Sequence, residues 1–148
     1  MIKIEYPPYQ PRTRVEAGKE MIFDGIRKRW VALTPEEWVR QNFLQYLLQV
    51  KQYPASLVAV EKEIKLNELR KRFDVVVHDR QANPRMIIEC KEMGVDLDKK
   101  VLGQVLRYNI SLQVPYLVIT NGSHCMAFSV AEGALKELAD IPPFSALY

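Results

Sequence analysis

The sequence predicts an α/β layer structure in which a mixed central sheet is flanked by helices. Two patterns predict it. Three short apolar runs rich in β-branched residues, 57–66, 73–79 and 85–92, follow one capped helical segment. A second helical stretch, 98–113, then leads into Tyr116–Thr120, a continuous apolar run of the kind buried on both faces of a sheet. Helix, three strands, helix and two strands in that order imply layers packed around one sheet. With 148 residues, 48% of them apolar and 26% charged, one domain can bury an adequate core without disulfides.

Residues 1–20, with Pro7, Pro8 and Pro11, read as an irregular arm. Residues 21–33 read as a hairpin, because Asp24-Gly25 suits a tight turn. The core is expected over 34–130. Thr34-Pro35-Glu36-Glu37 is a capping box with proline at the first helical position. Trp38, Phe43, Leu44, Leu47 and Leu48 form the helix's apolar stripe, and Pro54 ends it. In the first strand Val58, Val60, Ile64 and Leu66 should share one face, with Glu61, Glu63 and Lys65 on the other. The next two strands join through a turn around 81–84. The second helix buries Val101, Leu102, Val105, Leu106 and Leu112. Asn121-Gly122 turns Tyr116–Thr120 into a hairpin with Met126–Val130. A short helix over 131–139 and a proline-marked tail complete a single domain, 1–148.

Composition narrows the function. A net charge of +3 is compatible with a nucleic-acid partner without requiring one. Cys90 and Cys125 lack metal-ligand spacing and read as buried free thiols in a reducing compartment. Met1–Gln10 carries prolines and charges where a signal peptide has an apolar core, and no stretch reaches a membrane span of ~18 apolar residues. A cytoplasmic protein without a membrane partner is expected.

The chemistry concentrates in Arg72-Phe73-Asp74 and Glu89-Cys90-Lys91. Alternation puts Glu89 and Lys91 on one side of their strand, and Asp74 joins them if the two runs are neighbours. Two carboxylates and an amine at one sheet edge could hold a divalent metal beside a water-activating group, the equipment for cutting a phosphodiester.

This arrangement resembles the PD-(D/E)xK nucleases. The match is closer to the N-terminal nuclease domain of type I restriction enzyme R subunits, in a small stand-alone version. Lys71-Arg72-Phe73-Asp74 resembles the Arg-x-Asp of the family's second strand, and Gln104-Val-Leu-Arg-Tyr108 its Gln-x-x-x-Tyr element. Pro35-Glu36-Glu37-Trp-Val-Arg40 is similar to its first helix. The likeness runs from about Met21 to about Val130. Phe73 stands in place of the motif's proline.

The resemblance implies a restriction-endonuclease-like three-layer core of α-β-β-β-α-β order and a Mg²⁺-dependent deoxyribonuclease, with Mn²⁺ able to substitute. Asp74 and Glu89 would hold the metal and Lys91 would orient the attacking water. Gln104 and Tyr108, four apart on one helical face, would position the lysine or a phosphate. Glu37 is preferred over Glu36 as the first-helix acid because Glu36 lies nearer the cap; Glu61 and Glu63 are reserve ligands. Arg72 could contact a DNA phosphate. Dimerisation would suit two-strand cleavage. No Walker-type glycine-rich loop occurs, so neither an ATP site nor a nucleotide-driven motor is expected in this chain. The alternative is a catalytically weak or silent nuclease-fold module that binds nucleic acid or a protein. Histidines 78 and 124 read as structural or surface groups, and Trp30 and Trp38 as core.

Overall fold

The structure is a computed structural model describing residues 1–147, with the side chains of all of them except Leu66, Leu69, Tyr108, Asn109, Ile110 and Ser111. The chain opens with β1 (Ile2–Lys3), β2 (Thr13–Glu16), β3 (Lys19–Asp24) and β4 (Arg29–Ala32). Helix α1 (Pro35–Gln45) follows, then β5 (Val58–Leu66), β6 (Leu69–His78), β7 (Pro84–Cys90) and helix α2 (Lys99–Leu112). The last strands are β8 (Tyr116–Thr120), β9 (His124–Ala131) and β10 (Ala134–Leu138).

The central sheet runs β1-β9-β8-β7-β6-β5, with β10 also paired to β9. β7 and β8 are parallel because α2 carries the chain across the sheet between them. Its other described pairings are antiparallel, so the sheet is mixed. α1 lies on one face, where Val39, Phe43 and Leu44 pack against Val75, Val77, Met86 and Ile88. α2 covers the other face, setting Val105 against Val76, Ile87, Leu117 and Ile119. Both faces of β6, β7 and β8 are thus buried, which accounts for their near-continuous apolar runs. The mixed central sheet flanked by two helices agrees with the expectation.

Thr34 Oγ1 accepts the Glu37 N–H at 3.0 Å, as the capping box requires. Asp98 does the same for α2, accepting from Lys100 and Val101 N–H, each at 3.0 Å. α1 ends at Gln45 and continues as a single π-helical turn over Tyr46–Val50 before Pro54.

Four local expectations are corrected. The arm is not irregular: β1 joins β9, and β2 pairs with β3 through Ala17-Gly18, both in the left-handed region that a tight hairpin needs. The turn at Asp24-Gly25 is wider than two residues, and its positive φ falls on Lys28. Its shape comes from the Asp24 carboxylate, which accepts the Ile26 and Arg27 N–H groups at 2.7 and 2.9 Å. Trp38 is 38% exposed and not core, because the helix turns Val39 inward in its place. The helix expected over 131–139 is the β9–β10 hairpin. Glu132 and Gly133 take positive φ and fold Ala134–Leu138 back onto β9, overriding the helix propensity of Ala-Leu-Lys-Glu-Leu.

The strand faces also depart from simple alternation. Val58 and Val60 feed the core under α1, but Ile64 packs into the core under α2. Likewise Val75 and Val77 face α1 whereas Phe73 faces α2. Each strand therefore switches faces once, at Glu61 and at Asp74. Glu61 has φ +55°. Val60 pairs with Val75 and Lys62 with Phe73, bracketing a Glu61–Asp74 step that forms no ladder pair. Val75 pairs with Ile88, so Glu89 on β7 continues the same row.

Candidate functional site

Glu61, Asp74 and Glu89 thus occupy one row across three neighbouring strands, at the point where the ladder pauses. The Asp74 carboxylate takes over part of the missing pairing by accepting the Cys90 N–H at 2.7 Å through Oδ2. Glu89 lies on the sheet face opposite Ile88 and Cys90. Its Oε1 is buried with no hydrogen-bond partner among the described residues. Burial first, and the neighbouring Asp74 charge second, push the Glu89 carboxyl up to about 9, with Lys71 and Lys91 pulling against them. Lys91 follows at the strand end. Its backbone N–H is fixed to Thr120 O at 2.8 Å, and its side chain is half-buried. The three central residues of the sequence motif are therefore brought to one edge.

The first helix contributes differently from expectation. Glu37 is 6% exposed, and both of its oxygens are engaged: Arg27 Nη2 and Arg40 Nη2 donate to Oε1 at 2.8 and 2.6 Å, Arg40 Nε and Gln41 to Oε2 at 2.8 and 3.1 Å. Burial opposes its ionisation, but Arg40, then Arg27 and Gln41, hold the carboxyl down at about 2. Glu37 is a structural anion without a lone pair to spare for a metal. Glu36 is the helix acid that faces the row. Partial desolvation, then the Asp74 charge, raise its pKa, while Lys91 and Arg40 act in the opposite sense.

Arg40 is the residue that the sequence reading missed. Its guanidinium is clamped from behind by Glu37, and its Nη1 points forward to Glu61 Oε1 and, at 3.3 Å, to Asp74 Oδ1. Behind it the pairing continues through Arg27 to Asp24, which is fully buried and also bound by Gln41 at 3.0 Å. A chain of alternating charges links the β3–β4 hairpin to the acid row. Its sequence signal was the Glu37, Arg40, Gln41 spacing of i, i+3 and i+4, a polar stripe on one helical face. Such stripes ordinarily face solvent; this one faces inward because the hairpin folds over it.

Arg72 is 64% exposed and approaches Glu61 Oε2 at 4.0 Å, beside the row. Gln104 is exposed on α2, and no hydrogen bond joins it to Asp74, Glu89 or Lys91. The Tyr108 side chain lies outside the described residues, so that half of the Gln-x-x-x-Tyr element has no described geometry. Glu63 is an exposed partner of Arg70 at 3.9 Å. Among the described residues, no three His, Cys, Asp or Glu side chains form a ready-made metal cage.

The charge chain carries a pH prediction. Glu37 is depressed from 4.5 to about 2, and Asp24 is also lowered: burial opposes its ionisation, but Arg27 and Gln41 outweigh it. A depressed carboxylate contributes stability above its unfolded pKa and loses it as pH falls through the folded one. The melting temperature is expected to drop between pH about 4.5 and about 2, and Glu37→Gln should flatten that slope. Thermal melts of both proteins across this range check it; identical slopes would remove Glu37 as the cause.

A mixed sheet between two helices, with an acid, an acid and a lysine at one edge, defines a restriction-endonuclease-like, nuclease-like module. The family model for the Type I restriction enzyme R protein N terminus (HSDR_N) matches residues 35–142, and the chain belongs to that family. No curated protein matches the chain. No described helix is long and apolar enough to cross a membrane.

Proposed function

We propose that this chain is a metal-dependent endonuclease module that hydrolyses DNA phosphodiester bonds at the Asp74–Glu89–Lys91 edge. One observation carries the reading: the Glu89 carboxyl is buried against the Asp74 carboxylate, and its Oε1 has no hydrogen-bond partner among the described residues. A buried acid in that position costs free energy unless it is protonated or meets a cation. All the donors are hard oxygens, which suits Mg²⁺ or Mn²⁺. Mg²⁺ takes one or two protein carboxylates and leaves its other positions to water and phosphate, a number that Asp74 and Glu89 can supply.

Asp74 and Glu89 would hold the ion, with Glu36 or Glu61 placed to bind its waters. The bound ion would stabilise charge on the phosphoryl oxygens and acidify a water. Lys91, at the open end of β7, orients the attacking water and assists its deprotonation. Membership of a restriction-enzyme family supports DNA as the substrate.

Arg40 favours a second reading. A guanidinium on Asp74 Oδ1 competes for the oxygen that a cation would use, as in a silent module retained for binding. Calorimetry with Mn²⁺ and plasmid nicking separate the two. Hydrolysis predicts Mn²⁺ uptake and nicking by the wild-type chain, both lost in Asp74→Asn. Equal background nicking by the two proteins would remove the enzyme, and DNA binding indifferent to Asp74→Asn would then leave the silent module.

A further inference from the structure

The outer face of the small β2-β3-β4 sheet carries a cluster that the nuclease reading does not use. The register sets Arg14 opposite Met21 and Phe23 opposite Trp30, so these four side chains share one face; Ile22 and Asp24 point into the body. The Arg12 guanidinium lies 4.5 Å from the Phe23 ring centre, and that of Arg14 lies 4.2 Å from the Trp30 ring centre. Phe23 and Trp30 brace each other edge to face at 5.5 Å. Both arginines are exposed, as are Lys19, Lys28 and Arg29.

Charge singles out the same segment. Residues 12–29 hold six Lys/Arg and three Asp/Glu, a net +3, which leaves fifteen of each sign and no net charge in the rest of the chain. The whole excess of a +3 protein thus sits on this sheet. Asp24 and Arg27 pair with each other beneath the sheet and Arg14 pairs with Glu16 in solvent, so the excess belongs to the solvent side.

We infer that the outer face of β2–β4 is a binding surface for the phosphodiester backbone of duplex DNA, with Arg12 and Arg14 as its principal phosphate contacts. A guanidinium held over an aromatic ring can still present its N–H fork to two phosphate oxygens. Arg14 Nη2 bonds the Glu16 carboxylate at 2.8 Å, an exposed pair that a phosphate would replace. Stacking also fixes the side chain in advance, so less rotamer entropy is lost on binding. The rings serve to hold the arginines, whose guanidiniums lie over them in place of bases. The sheet precedes the residues matched by the family model, 35–142. It is also tied to the acid row, since Arg27 of the β3–β4 turn binds Glu37, and Glu37 binds Arg40 at Asp74. A duplex held here would be referenced to the hydrolytic edge through salt bridges.

The inference rests on the DNA reading but not on hydrolysis. Its test is fluorescence anisotropy of a labelled random-sequence DNA duplex at several salt concentrations, for the wild-type chain, Arg12→Gln/Arg14→Gln and Trp30→Leu, with folding checked by circular dichroism. Losing two phosphate contacts should lower the log–log salt slope by about 1.8 and weaken binding on the order of tenfold or more at 0.1 M salt. Trp30→Leu keeps both charges, so it should weaken binding several-fold with the slope unchanged. An unaltered slope and affinity in the double variant would overturn the surface, as would duplex RNA competing better than DNA. A double variant that loses binding while the wild-type chain nicks no plasmid would uphold the surface and remove only the hydrolysis.

Discussion

Lys91→Ala is expected to lower Mn²⁺-dependent plasmid nicking by about 10²–10⁴-fold, the range for removal of a proton-transferring group, while Mn²⁺ binding measured by calorimetry persists. The separation follows from position. Asp74 and Glu89 lie in the sheet row and would supply the metal oxygens, whereas Lys91 stands just beyond the strand, tied to the fold through its backbone bond to Thr120. Its side chain is half-buried and carries no packing comparable to that of its neighbour Cys90. The melting temperature should therefore move little. Loss of metal uptake together with activity would show Lys91 to be a structural partner of the carboxylates, and unchanged nicking would remove it from the chemistry.

Arg40→Ala is expected to cost about 3–5 kcal/mol, the usual penalty for removing one partner of a buried ion pair. The guanidinium is 9% exposed and touches Glu37, Glu61 and Asp74. Deleting it strands the 6%-exposed Glu37 with Arg27 as its one remaining cation among the described residues and brings uncompensated carboxylates together beneath the acid row. For a domain of this size the melting temperature should fall on the order of 10 °C. Arg40→Met with Glu37→Leu should recover much of the loss, because an apolar pair of similar volume no longer buries charge. Thermal melts of the three proteins decide the matter. A loss below about 1 kcal/mol in Arg40→Ala would mean that water reaches the pair and screens it.

Much of this was legible because it depends on short-range rules. Asp74 and Glu89 stood out as acids at the ends of apolar runs, and Glu89-x-Lys91 needed only strand alternation to meet at one edge. Thr34 declared the start of α1 through its cap. The errors arose where distant residues decided. Glu36 and Glu37 are neighbours on one helical turn, and cap rules cannot choose between them. The choice is made by Arg27, which arrives from a hairpin ten residues earlier and claims Glu37. Ala134–Leu138 has helix-forming residues, yet Glu132-Gly133 and a free edge of β9 make it a strand. The change of face at Glu61 is a single backbone angle on a residue with no glycine to announce it. The burial of Arg40 is likewise decided at a distance, by the hairpin that closes over its side of the helix.

That change of face at Glu61 and Asp74 also bears on how freely the edge can vary. Elsewhere in the sheet, an altered residue must suit whichever hydrophobic layer its parity assigns it to. At the crossover neither hydrophobic layer claims the side chain, and the constraint is polar instead: the Cys90 N–H that Asp74 accepts and the Arg40 guanidinium that Glu61 and Asp74 share. A substitution at this joint is therefore felt first by the hydrogen bonds and ion pairs that cross it, and only afterwards by the apolar layers on either side.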